Sequence, residues 1–162
     1  MQLQKNLQTP LNIIKERCSN KKETVAVAES VTAGCLQMLL STCEGAQDFF
    51  QGGITVYNCS QKAIHLGVEP IYAQHCNGVD PSIAATMAYK VCSLFRSQIG
   101  VAITGYATPV PEEGIYDLYA YMAIVKNGRL IHEEKLQTRY KGIAAQWEYA
   151  ATIIQKLAEL TD

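Results

Sequence analysis

Residues Val25 to Gly34 read VAVAESVTAG. A run of small and apolar residues leads into Glu29-Ser30, and Thr32, Ala33 and Gly34 separate it from a second apolar run, CLQMLL. A brief apolar run between polar flanks is the pattern of a strand covered on both faces, expected here from Thr24 to Ala28. Leu36, Leu39, Leu40 and Cys43 then recur at helical spacing. The stretch is therefore a strand, a turn and a helix, with Ser30 in the turn. A serine there either caps the helix or presents its hydroxyl beyond the strand end.

The same alternation continues on both sides. Thr9-Pro10 offers a cap followed by proline at the first helical position, opening a short helix through about Cys18. GGITVYN carries the β-branched residues of a second strand after a double glycine, and CSQKAIHLG reads as a short helix stopped by Gly67. Asp80-Pro81 begins a longer helix with Ile83, Met87, Val91 and Leu94 on one face, ending near Gln98. IGVAITG is another apolar strand, followed by the loop YATPVPEEG. Two extended segments, Ile115 to Val125 and Leu130 to Thr138, meet around Asn127-Gly128, a hairpin signal. The last helix, from about Gly142 to Leu160, sets Ile143, Trp147, Ala150, Ile154 and Leu157 in one stripe. Strands interleaved with helices plus one antiparallel hairpin predict an α/β fold, a three-layer sandwich with a mixed sheet.

With 162 residues, 48% of them hydrophobic, and no repeat, linker or low-complexity run, the chain is expected to form one domain over residues 1–162. Its 14 basic and 15 acidic residues leave a net charge of −1 without any block of like charge. Nucleic acid and anionic membranes are accordingly not expected as partners. The N-terminal sequence lacks the apolar segment of a signal peptide, and no window approaches a membrane span, so a cytoplasmic location is expected. The six cysteines never form C-x-x-C. No metal site is expected; the thiols read as small buried hydrophobes in a reducing compartment. The last helix and nine tyrosines leave room for a homodimer or higher homo-oligomer.

In open α/β sheets, ligands collect outside the carboxyl ends of the strands. Three expected strands end there in polar groups: Glu29-Ser30-x-Thr32, Tyr57-Asn58 and Thr104-Gly105, with Lys62 about one turn into the helix after Tyr57. Hydrolysis by serine requires a base and donors for the developing oxyanion. His65, His75 and His132 stand in no triad context, and neither G-x-S-x-G nor S-x-x-K surrounds Ser30. A lysine with its pKa lowered by burial can act as base instead, with a tyrosine hydroxyl relaying or donating a proton. Taken one at a time, Ser30 or Thr32 as a helix cap, Lys62 as a solvated helix residue and Tyr57 as a strand residue are the commoner local readings, and Gly52-Gly53 can serve a tight turn. On the residues alone, the chain is an α/β domain with a candidate ligand cleft.

At these residues the sequence resembles the CinA C-terminal family, the nicotinamide-nucleotide amidases. The family pattern A-E-S-x-T-G-G is met by AESVTAG (28 to 34), its P-G-A-S-x-x-F-x-G-G-V-V-x-Y-x-N-x-x-K segment by EGAQDFFQGGITVYNCSQKAIHLGV (44 to 68), and V-A-x-T-G by VAITG (101 to 105). The resemblance implies hydrolysis of the carboxamide of nicotinamide mononucleotide to nicotinic acid mononucleotide and ammonia, without metal or cofactor. It makes Ser30 the nucleophile, Lys62 its base and Tyr57 an assisting hydroxyl. Glu29, Thr32, Gly34, Gly52, Asn58, Thr104 and Gly105 become the expected substrate-binding residues.

Three departures set this chain apart within that resemblance. After T-G the family continues with a glycine-rich A-G-P-x-G-G loop, where this chain has YATPVPEEG. Near the last helix the family carries G-D-R and a further arginine one turn on; here Gly142 is followed by Ile143 and Ala144, and Glu148 stands at the second arginine. Ala33 takes the place of a glycine. A nucleotide phosphate needs backbone donors or a fork of arginine, and Arg139 and Lys141 are the nearby cations left. Two functions follow: a small-amide or nucleotide amidohydrolase, or a catalytically inactive, repurposed homologue acting as a small-molecule-binding or oligomeric module.

Overall fold

The structure, a computed structural model, describes residues 7–160. Five strands, β1 (Val25–Glu29), β2 (Phe50–Thr55), β3 (Ile99–Gly105), β4 (Leu118–Lys126) and β5 (Arg129–Thr138), form one sheet in the order β2-β1-β3-β4-β5. β1 pairs in parallel with β2 and β3, whereas β3, β4 and β5 pair antiparallel, so the sheet is mixed as expected. Helices α1 (Gln8–Lys21), α2 (Cys35–Ser41) and α6 (Ile143–Leu160) cover one face; α3 (Cys59–Leu66), α4 (Pro70–His75) and α5 (Pro81–Phe95) lie on the other.

The period-2 alternation of the strands creates the two cores. Val25, Val27, Ile99, Val101 and Ile103 pack with Leu11, Ile14, Leu36 and Ile153 in one layer. Ala26, Ala28 and Ala102 face Ile83, Met87 and Val91 of α5 in the other. That second face is built from small residues because α5 lies so close: a Cβ on Gly100 would stand 2.2 Å from the Ala88 carbonyl oxygen. Asn127 and Gly128, at φ of 50° and 73°, form the β4–β5 turn that their sequence predicts.

The structure corrects several local expectations. Leu7, not Thr9, is the N-cap of α1, and Pro10 is the third residue of the helix, where no intrahelical hydrogen bond is lost to it. Gly52 and Gly53 lie inside β2 rather than before it, at an irregularity in its pairing with β1. Leu94 is 52% exposed and Ile143 77% exposed, so neither belongs to the apolar stripe of its helix. The additional helix α4 starts at Pro70, capped by the Glu69 carboxylate, which accepts from the N–H groups of Ile71 and Tyr72. Of the six cysteines, all free thiols, Cys18 and Cys43 are buried and the other four only partly so. No helix among the described residues is long and apolar enough to cross a membrane.

The turn after β1 answers the question raised by Ser30. Helix α2 begins at Cys35 with Gly34 as its N-cap, so Ser30 is too far upstream to cap it. The cap comes from the strand instead. The fully buried Glu29 side chain accepts from the N–H groups of Gly34 (3.0 Å), Leu36 (3.0 Å) and Gln37 (2.8 Å). A carboxylate at a helix N-terminus satisfies orphan donors and complements the helix dipole. Ala33 and Gly34 both take positive φ, 49° and 99°, to wrap the chain round that carboxylate. Glu29→Ala is expected to lower the unfolding free energy by about 3 kcal/mol, since it strands buried donors, and Glu29→Gln by less. Urea denaturation checks this; unchanged midpoints would show that the carboxylate does not hold the turn.

Candidate functional site

Ser30 emerges at the carboxyl end of β1, where its N–H donates to the Ile103 carbonyl of β3 (3.0 Å). From the neighbouring β2–α3 unit comes Lys62. Asn58 caps α3 by accepting from the Gln61 N–H (2.9 Å), and Lys62 follows one turn in, its own N–H donating to the Asn58 carbonyl (3.1 Å). This fixed entry aims the lysine back toward β1. Its Nζ lies 2.8 Å from Ser30 Oγ and 3.2 Å from the Val56 carbonyl oxygen, to which it donates.

Lys62 is 2% exposed and Ser30 5% exposed. Among the described residues no carboxylate is bonded to the amine, whose partners are a hydroxyl and a carbonyl. Burial therefore lowers the Lys62 pKa below its ordinary value, desolvation of the cation being the largest cause. The turn at Gly78 closes over the lysine: a Cβ there would stand 3.4 Å from Nζ and 3.3 Å from Cys59 Sγ. Thr104 ties that turn to β3, its hydroxyl donating to the Gly78 carbonyl (2.6 Å).

Ser30, Tyr57, Asn58, Lys62, Thr104 and Gly105, all singled out from sequence, line one cavity of about 840 Å³. Tyr57 reaches it differently from the expectation. Its side chain is 69% exposed and its hydroxyl makes no hydrogen bond among the described residues; only its backbone carbonyl approaches Ser30 Oγ, at 3.5 Å. Gly105 leaves room for β4, since a Cβ there would stand 2.4 Å from that of Ala120.

Four expected binding residues lie outside this cavity. Glu29 is consumed by the α2 cap. Thr32 and Gly34 line a smaller hollow with Met38 and Trp147 that adjoins the cavity across Ile143 and Gln146, and the buried Thr32 hydroxyl has no partner among the described residues. Gly52 sits near the start of β2, paired with Ala26 and facing the ring of Phe95, about 13 Å along the strand direction from Ser30 at the rise of an extended chain. Its place reflects a strand irregularity, not a ligand.

Other lining residues were not singled out from sequence. Asn77, at φ 52°, donates from Nδ2 to Glu113 (2.7 Å) and to the Tyr106 hydroxyl (3.4 Å). Asn77-Gly78 is a turn dipeptide of the kind that signals a left-handed backbone, so this pair was findable. Gln146, on the first turns of α6, donates from Nε2 to the Val31 carbonyl (2.9 Å) across the cavity wall; nothing in its local sequence marks it. Among the described residues no group of three or more His, Cys, Asp and Glu is placed to hold a metal ion.

The sequence model of the CinA C-terminal domain matches residues 8–158. A CinA-like protein of Synechocystis sp. (strain ATCC 27184 / PCC 6803 / Kazusa) is 38% identical over 101 residues, covering 62% of this chain and 24% of the relative. A CinA-like protein of Rippkaea orientalis (strain PCC 8801 / RF-1) is 37% identical over 102 residues, or 63% of this chain and 24% of the relative. The chain thus spans about a quarter of the length of these curated relatives. Among solved structures, a competence or damage-inducible protein from Enterobacter asburiae superposes with a TM-score of 0.89 at 19% identity, covering 96% of this chain and 98% of that one. A CinA superfamily protein from Enterobacter cloacae gives 0.81 at 25% identity, covering 96% and 90%. The family match over nearly all described residues, on the mixed sheet and helical layers above, shows that the chain belongs to the CinA C-terminal domain family.

Proposed function

We propose that the chain is an amidohydrolase that attacks a small carboxamide with Ser30 and releases ammonia. The observation that supports this best is the 2.8 Å contact between Ser30 Oγ and a buried lysine amine that has no carboxylate partner among the described residues. Nothing in the packing of an α/β sandwich requires that contact, and burying a lysine has a desolvation cost that an apolar residue would avoid. The resemblance of the chain points to the carboxamide of nicotinamide mononucleotide as the first substrate class to assay.

In this reading neutral Lys62 takes the Ser30 proton as Oγ bonds to the amide carbon. The tetrahedral oxyanion collapses as the lysine ammonium passes the proton to the departing nitrogen, and ammonia leaves. Water then attacks the acyl-serine, giving its proton to Lys62; collapse releases the carboxylic acid and restores both groups. The N–H groups of Val31 and Thr32, which follow Ser30 and meet no acceptor among the described residues, are the nearest candidates for the oxyanion donors. Tyr57 needs no part in the proton transfer, because Ser30 and Lys62 are in direct reach of each other.

Ser30→Ala is expected to abolish ammonia release and Lys62→Met to reduce it by about 10³-fold, whereas Tyr57→Phe retains it within about tenfold. Wild-type activity against the Lys62→Met background would contradict the assignment of the base. The rate is expected to fall as pH drops through the lowered Lys62 pKa, because protonation removes the base.

Stability has a definite sign over the same window. The unfolded lysine holds its proton up to about its ordinary value of 10.5, while the folded one gives it up earlier. Between these values the unfolded state binds more protons, so the unfolding free energy rises with pH and the desolvation penalty is largest below the folded pKa. Lys62→Met is expected to flatten this slope, measured as the difference in urea midpoint between neutral and alkaline pH.

A further inference from the structure

The walls of the cavity say what accompanies the carboxamide. Of the side chains lining it, Lys62 alone is charged, and its amine is engaged by Ser30 and the Val56 carbonyl. No arginine lines the cavity. Arg139 and Lys141 are exposed on the segment entering α6 and stand outside the lining. Two helix N-termini open onto the cavity, α3 through Asn58, Cys59 and Ser60 and α6 through Gly142 and Ile143, but each supplies only a fractional positive charge. A phosphate near −2 at neutral pH is held by backbone donors or, more strongly, by charge-assisted bonds to cations, and of these two the lining offers only the first.

Beside the donors of Asn58, Ser60 and Thr108, the Asn77 and Gln146 walls present acceptors. Asn77 spends Nδ2 on Glu113 and Tyr106, which leaves Oδ1 as its free atom. Gln146 spends Nε2 on Val31, and Oε1 has no partner among the described residues. Tyr57 and Tyr106 add aromatic surface and hydroxyls, and the acidic Glu113 backs the Asn77 wall at 2.7 Å. On these walls carbonyl acceptors, ring faces and a nearby carboxylate suit hydroxyl and N–H donors or a cation better than an anion.

We infer that the cavity takes a small carboxamide without a phosphate, uncharged or cationic, such as a pyridinium nucleoside, in preference to the corresponding nucleotide. This rests on the amidase reading for its reaction, though not for its binding preference.

The test compares nicotinamide riboside with nicotinamide mononucleotide, which differ only by the phosphate. Ammonia release is measured with the wild-type chain, and calorimetric affinity for both compounds with Ser30→Ala. The riboside is expected to be favoured by at least about tenfold in kcat/KM and in affinity. A smaller ratio, a preference for the mononucleotide, or no binding of either compound overturns the inference. Ammonia from neither, with the riboside still bound at least about tenfold more tightly, would reject the amidase reading and leave the phosphate-free cavity standing. As a reciprocal check, Ile143→Arg places a cation on the lining at a position already 77% exposed. It is expected to move the ratio about tenfold toward the mononucleotide; an unmoved ratio counts against this wall as the discriminating one.

Discussion

The Glu29 carboxylate is the constraint around which the rest is arranged. A strand that runs directly into a helix must supply acceptors for the helix's first N–H groups, and here one side chain from the end of β1 meets Gly34, Leu36 and Gln37 together. With the cap supplied from the strand, the polar residues of the turn are released from that duty. Ser30 keeps its hydroxyl for the cavity, and the left-handed conformations of Ala33 and Gly34 are the strain accepted in exchange. The same carboxylate, buried behind the turn, is not among the groups lining the cleft.

Lys62 is the complementary case of a polar group used against its own solvation. An exposed lysine beside a serine would be protonated and useless as a base near neutral pH. Removing it from water, while giving it a hydroxyl and a carbonyl instead of a carboxylate, favours the neutral amine. Three local devices produce that environment: the Asn58 cap that sets the phase of α3, the close approach of Gly78, and the Thr104 clasp that holds Gly78 in place.

Much of this architecture was legible in the sequence where a residue's local physics and its tertiary role coincide. The apolar runs at Val25 and Ile99, the Asn127-Gly128 turn and the Asp80-Pro81 start carry their own explanation, and so does the Gly67 stop. Ser30 and Lys62 could be paired through the family resemblance, not from spacing, because their contact closes across two separate strand-helix units. Glu29 and Gly52 were misassigned for one reason. Proximity in sequence to a motif says nothing about which way a buried carboxylate turns or where along a strand an irregularity falls. Gln146 was illegible altogether, since its partner, Val31, lies 115 residues away.

The two groups of the candidate centre belong to opposite layers. The turn bearing Ser30 is seated through Val31 and Leu36 in the core under α1, α2 and α6, whereas Leu66, on the helix bearing Lys62, is anchored in the core under α5. Their separation is therefore a gauge of how the two slabs sit across the sheet. A slip of one slab by a single methyl's width would lengthen the contact beyond hydrogen-bonding reach, so cavities opened far from the cleft, in either slab, are transmitted to it as lost alignment rather than as lost stability alone.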